Sequence, residues 1–146
     1  MKLFTIKNPK NLDIVAQKVL SEKKRPLILA LCGDLGTGKT TFAKEIGLQL
    51  KINQPIISPT FIIHREYLID DKSKIYLHHL DLYRLDDAFE LDELDIRSLI
   101  SNDNIIIIEW ADKFKSYIQK FDKFGAKIIW MQFEHIDEST REITIL

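Results

Sequence analysis

Residues Gly33 to Thr41 read GDLGTGKTT, directly after the apolar run Pro26–Cys32 (PLILALC). This is the phosphate-binding pattern GxxxxGK followed by Thr, set where a strand passes through a loop into a helix. Gly33, Gly36 and Gly38 let the backbone curl through conformations that a Cβ obstructs, turning successive N–H groups inward. The backbone of Gly33, Asp34, Leu35, Gly36, Thr37, Gly38, Lys39, Thr40 and Thr41 then forms a cradle at the positive end of the following helix. Lys39 is expected to reach the β- and γ-phosphates and to stand clear of the core, and the Thr40 hydroxyl to ligate Mg²⁺. The chemistry implied is binding of a nucleoside triphosphate with Mg²⁺.

Such a loop needs acids to hold or polarise the metal shell and to position a nucleophile. Two stand at the ends of apolar runs, where open α/β sheets bind ligands. Asp81 closes Ile75–Leu80 (IYLHHL), and Glu109 closes four successive isoleucines and precedes Trp110. Asp81 and Glu109 are therefore candidate catalytic and metal-binding groups beside Lys39 and Thr40, with the division of metal binding and water orientation between them left open. His78 and His79 do not form a metal site, because neighbouring strand residues point to opposite faces. Cys32 is the only cysteine, which excludes an internal disulfide and a cysteine metal cluster. Its place is that of a small apolar residue ending the strand.

The elements that position these groups follow from apolar periodicity. Leu3–Ile6 reads as a strand, and Asn8–Asn11 caps a helix running to about Glu22 with Leu12, Val15, Ala16, Val19 and Leu20 on one face. The run from Pro26 is the strand that feeds the loop, and Thr40–Leu50 the helix that leaves it. Thr60–Leu68 and Lys74–Asp81 read as strands joined by the turn Asp70–Ser73, an antiparallel pair. One helix is expected from Asp86 to about Ile100, either a solvated acidic face or a docking surface for a basic partner. Ile105–Ile108 suits a strand buried on both faces of a parallel sheet. Asp112–Phe124 reads as helix, Gly125 as a turn, and Lys127–Phe133 and Arg141–Ile145 as the last strands. Trp130 and the neighbouring phenylalanines read as core. The order predicts an α/β P-loop NTPase fold, a central mixed but mostly parallel sheet flanked by helices.

With 146 residues and no linker or repeat, a single domain over residues 1–146 is expected. A net charge of −1 offers no general attraction to nucleic acid, so contact with RNA requires a local patch or a partner. The start MKLFTIKNPK lacks the apolar core of a signal peptide, and no apolar run reaches membrane-spanning length. A cytoplasmic location with no membrane association is the expectation.

Four motifs in order, GDLGTGKTTFAKEI from Gly33, SPTF from Ser58, HLDLYRL from His79 and IIEWADKF from Ile107, resemble those of the TsaE (YjeE) family. These small bacterial P-loop ATPases support synthesis of threonylcarbamoyladenosine beside the tRNA anticodon. The resemblance spans Asn8 to Phe114. It implies a switch-like Ser58–Phe61 segment with Thr60 near the γ-phosphate, a Walker-B-like Asp81, and a Glu109–Trp110 pair whose acid serves Mg²⁺ and hydrolysis. Asn8–Asn11 falls where the family approaches the base, and Arg141 matches a basic residue near the nucleotide. The implied partners are TsaB and TsaD, with tRNA engaged only indirectly through that complex. The chain departs from the family at Asp95-Ile96, where glycine often precedes the hydrophobic residue, and in the tail from Lys115.

Other readings stay open at this stage. A small-molecule or nucleoside kinase shares the loop, but such enzymes use a lid insertion with closing arginines, and Arg65, Arg84 and Arg97 are scattered. A GTPase switch lacks its guanine motif and a glycine anywhere between Gly47 and Gly125. A regulatory nucleotide-binding subunit with incidental hydrolysis overlaps the ATPase reading.

Overall fold

The computed structural model describes residues 1–146. In chain order it contains β1 (Lys2–Ile6), a 3-10 turn at Pro9–Asn11, α1 (Leu12–Leu20), β2 (Leu27–Cys32), α2 (Lys39–Gln49), β3 (His64–Asp70) and β4 (Ile75–Asp81). Then follow α3 (Ala88–Glu93), α4 (Ile96–Leu99), β5 (Ile105–Glu109), α5 (Lys115–Gln119), β6 (Lys127–His135) and β7 (Arg141–Ile145). All strands join one sheet in the order β1-β7-β6-β2-β5-β4-β3. The inner strands β6, β2, β5 and β4 run parallel, and β1, β7 and β3 pair antiparallel with their neighbours. The isoleucine run does form a strand buried along its whole length, held between β2 and β4. Helices cover both faces, so every side chain of β2 is also buried.

Strand parity divides the core in two. Leu27, Leu29, Leu31, Ile105 and Ile107 face α1 and α2, where they meet Val15, Val19, Phe42 and Ile46. Ile28, Ala30, Ile106 and Ile108 face the other way, against Leu91, Ile96, Ile118 and Phe121. Each buried leucine, isoleucine, valine or phenylalanine among them contributes roughly 1.5–3 kcal/mol of transfer free energy. The same parity places Asp81 and Glu109, paired in register, on the α2 face at the carboxyl ends of β4 and β5.

Three expectations need correcting. Thr60–Ile63 is a turn rather than strand, because the amides of Ile62 and Ile63 both donate to Pro59 O and Ile63 takes φ +71°. The helix expected from Asp86 to about Ile100 is two pieces. Its start is capped by Asp87, Glu90 N donating to Asp87 Oδ1 at 2.9 Å and Asp86 N to Glu90 Oε2 at 2.7 Å. It breaks at Asp95, whose left-handed φ of +49° cannot continue a helix. This is the position where the resembled family often carries glycine, the residue that adopts that conformation at least cost. The stretch expected as one helix over Asp112–Phe124 is a 3-10 turn at Ala111–Phe114, the five-residue α5, and another 3-10 turn ending at Gly125. Trp130 is half-buried and its Nε1 donates to Gln119 Oε1 at 2.9 Å, anchoring α5 to β6.

His78 and His79 do lie on opposite faces. Asn104 Oδ1 accepts from Tyr76 N, so its Nδ2 donates to Leu99 O and to His78 Nε2. The His78 proton therefore sits on Nδ1 and donates to His64 Nε2 at 3.0 Å, with Glu66 Oε2 3.9 Å away. Burial, aided by the nearby His64, pushes His78 down to about 4, and burial also lowers His64. A base whose folded pKa lies below its unfolded value of 6.5 stays neutral while the unfolded chain takes up a proton. Stability is then fully present above pH 6.5 and declines as pH falls toward 4, by roughly 3 kcal/mol from this residue. Thermal unfolding between pH 7.5 and 4 is expected to show this decline, and His78→Gln to flatten it. An unchanged slope in the variant would rule out His78 as the source.

Candidate functional site

The loop between β2 and α2 owes its path to its glycines. Gly36 and Gly38 take φ of +79° and +102°, and Gly38 caps α2 in the left-handed conformation. Gly33 answers a different need: a Cβ there would lie 2.4 Å from the carbonyl oxygen of Phe133 on β6. The backbone amides from Asp34 to Gly38 donate to no other group of the protein. Five successive N–H groups at a helix N-terminus are thus free to meet an anion, and Thr37 Oγ1 braces them by donating to Asp34 O at 2.8 Å.

Lys39 is not clear of the core, contrary to expectation. Only 4% exposed, it folds back on the loop, donating to Gly33 O at 2.5 Å and Asp34 O at 2.8 Å. Its ammonium lies 4.2 Å from the centre of the Trp110 ring. Burial lowers its pKa, opposed by the charges of Glu109, Asp112 and Asp81. Trp110 itself holds a left-handed backbone, φ +59°, which is unusual for a bulky residue and tends to occur at functional sites. Tyr83 packs on its ring at 5.0 Å.

The two acids are held separately. Thr40 Oγ1 at the start of α2 lies 2.9 and 3.0 Å from the two oxygens of Glu109. Thr60 Oγ1, in the turn before β3, donates to Asp81 Oδ2 at 2.8 Å, and Tyr83 N donates to Asp81 Oδ1 at 2.9 Å. Ser58 Oγ is 2.8 Å from the Thr60 hydroxyl. Thr40, Thr41, Thr60, Asp81 and Glu109 line one cavity of about 220 Å³, with Lys39, Gly36, Gly38 and Leu35 on its loop side. No three His, Cys, Asp or Glu side chains converge, so the donor set does not suit zinc. Two carboxylates with hydroxyls do suit Mg²⁺, which takes few protein oxygens and completes its shell with phosphate and water.

A second cavity of about 400 Å³ lies across the loop, sharing Gly36, Gly38 and Thr41 with the first. Asn8, Pro9, Phe133 and Arg141 line it, and Arg141 Nε donates to Gly36 O at 3.3 Å. Asn8 and Arg141 thus line the same cavity from opposite ends of the chain.

The family model "Threonylcarbamoyl adenosine biosynthesis protein TsaE" matches residues 6–143. The chain belongs to the TsaE family. The tRNA threonylcarbamoyladenosine biosynthesis protein TsaE of Bacillus subtilis is 35% identical over 104 residues, 71% of this chain and 63% of that protein. The Haemophilus influenzae protein of that name is 34% identical over 99 residues, 68% of this chain and 61% of its own length. For the Aquifex aeolicus protein the figures are 32% over 133 residues, 90% and 85%. The chain therefore spans less than two thirds of the first two relatives and most of the third. The crystal structure of Bacillus subtilis YdiB matches with a TM-score of 0.67 at 26% identity, covering 99% of this chain and 83% of that one.

The four TsaE-like motifs, far apart in sequence, each contribute to the smaller cavity through the loop, Thr60, Asp81 with Tyr83, and Glu109 with Trp110. Two residues inside these motifs have partners that the motifs alone do not reveal. Lys113 donates to the carbonyls of Leu82, Tyr83 and Leu85 at 3.3, 2.8 and 2.6 Å, pinning the segment that follows Asp81. His79, considered above only as a metal ligand, sits beneath Glu109 with Nε2 2.8 Å from Oε1. Its parity with Asp81, two residues on, was the available signal.

Proposed function

We propose that this TsaE-family chain is a Mg²⁺-dependent ATPase that serves threonylcarbamoyladenosine formation on tRNA by acting as a switch on a TsaB–TsaD assembly. The observation that carries the ATPase reading is the convergence of Thr40, Thr60, Asp81 and Glu109 on one cavity beside five unpaired loop amides. The pathway and partners rest on the family and on the names of its members.

The reaction is in-line attack of water on the γ-phosphorus, breaking its bond to the bridging oxygen and releasing ADP and phosphate. The loop amides bind the phosphate oxygens, and Lys39 turns from the Gly33 and Asp34 carbonyls toward the β- and γ-phosphates. Thr40 with one of Asp81 and Glu109 would hold Mg²⁺, whose charge would offset that on those oxygens. The acid not committed to the ion orients the water, and the Thr60 turn closes the γ-phosphate side. The larger cavity between Asn8 and Arg141 accommodates the nucleoside.

No arginine lines the smaller cavity: Arg84 stacks on Phe61 and Arg141 lies across the loop. Without a cation at the developing charge, enzymes of this loop type run orders of magnitude below their stimulated rate. Slow hydrolysis by the protein alone is expected, with ATP favouring association with TsaB and TsaD and those proteins raising turnover. Phosphate release assays with and without them, and with GTP as control, test this. A fast rate indifferent to both partners, or no association in ATP, would overturn the switch. Phosphoryl transfer to a small acceptor would instead establish a kinase.

A further inference from the structure

The two acids differ in what holds them. Asp81 is fixed by a backbone amide and by Thr60, whereas Glu109 has only side-chain donors, Thr40 and His79. His79 is completely buried, and its Nδ1 has no hydrogen-bond partner. That pattern determines the tautomer. A proton on Nδ1 would bury a donor without an acceptor and set the Nε2 lone pair against the Glu109 carboxylate. The proton therefore sits on Nε2 and donates to Oε1. Oε2 is left with no partner but the Thr40 hydroxyl.

We propose that His79 is a positioning residue for Glu109: its Nε2–H pins Oε1 and so orients the carboxylate, with Thr40, toward the ion-binding side of the cavity. The assignment rests on the reading of Glu109 as a metal-associated acid. A carboxylate at the end of a flexible side chain has many rotamers, and a partner deep in the sheet removes that freedom before any ligand arrives. His79 suits the task because its neighbour in register, Ile107, points to the same face, and Glu109 lies two residues further along β5 on that face.

Replacement by three side chains separates this role from mere filling of the core. His79→Gln keeps an N–H able to reach Oε1, His79→Phe keeps bulk without a donor, and His79→Asn keeps an amide too short to reach. Binding of a fluorescent ATP analogue is measured without metal and across a Mg²⁺ titration, together with hydrolysis and thermal unfolding. His79→Phe and His79→Asn are expected to raise the Mg²⁺ midpoint and lower kcat by about 10- to 100-fold, the usual effect of losing a partner of a metal-binding side chain. Metal-free nucleotide binding should be unchanged, and His79→Gln should recover most of the loss. In a Glu109→Ala background the His79 variants should have no further effect on the Mg²⁺ midpoint.

A folded His79→Phe at wild-type levels, or His79→Gln as impaired as His79→Phe, would overturn the assignment. So would loss of folding in all three, which would make His79 a support of the core. Wild-type protein in the same assay distinguishes the failures. If it shows no Mg²⁺-dependent binding or hydrolysis of ATP, the ATPase reading fails; if it does and the variants match it, only the His79 assignment fails.

Discussion

Lys39→Ala is expected to reduce ATP hydrolysis by at least about 100-fold, the scale on which removing one charge-stabilising donor acts in a pre-formed site. Lys39 carries the only cationic side chain that lines the smaller cavity. The loop amides remain, so nucleotide binding should weaken without vanishing. Because Lys39 is buried and bonded to Gly33 O and Asp34 O, the variant should also lose stability, by roughly 1–3 kcal/mol for carbonyls left without a donor. Phosphate release, nucleotide titration and a thermal melt on one preparation separate these effects. A folded variant with near-normal hydrolysis would remove the loop from the chemistry.

Removal of either acid should show the opposite balance, with turnover lost and binding largely kept. Asp81→Ala and Glu109→Ala are expected to lower hydrolysis by about 100-fold while ATP affinity changes by less than about 10-fold, since most phosphate contacts come from the loop. The structural consequences differ between them. Glu109→Ala strands the buried His79 N–H, and Asp81→Ala frees the Thr60 hydroxyl and the Tyr83 amide. Loss of Asp81 should therefore loosen the Thr60 turn and be partly recovered by Asp81→Asn in stability but not in rate. A crystal structure with Mg–ATP in which both carboxylates lie too far from the ion to reach even its bound water would exclude them from the site.

Much of this arrangement could be read from the chain alone because it depends on near neighbours. The loop follows from glycine, lysine and threonine at fixed spacing, and β2 and β5 follow from unbroken apolar runs that only a doubly covered strand can bury. Asp81 and Glu109 were legible for the same reason: each ends such a run, and strand ends are where this sheet type presents polar groups. Fold class, strand order of appearance and the acids beside the loop all belong to this local grammar.

Tertiary structure decided the rest. Thr60 lies in a turn because the amides of Ile62 and Ile63 share the Pro59 carbonyl, and it meets Asp81 across 21 residues of chain. Lys39 is buried because Trp110, distant in sequence, covers its ammonium. The helix after Asp86 breaks at Asp95 although aspartate alone does not demand a left-handed residue. His79 reads in sequence as half of a histidine pair and becomes a support for Glu109 only when β4 and β5 align. Spacing along a chain specifies backbone conformation and which face a residue takes, whereas the partner that a side chain meets is set by the packing of separate elements, and that information is shared among all of them.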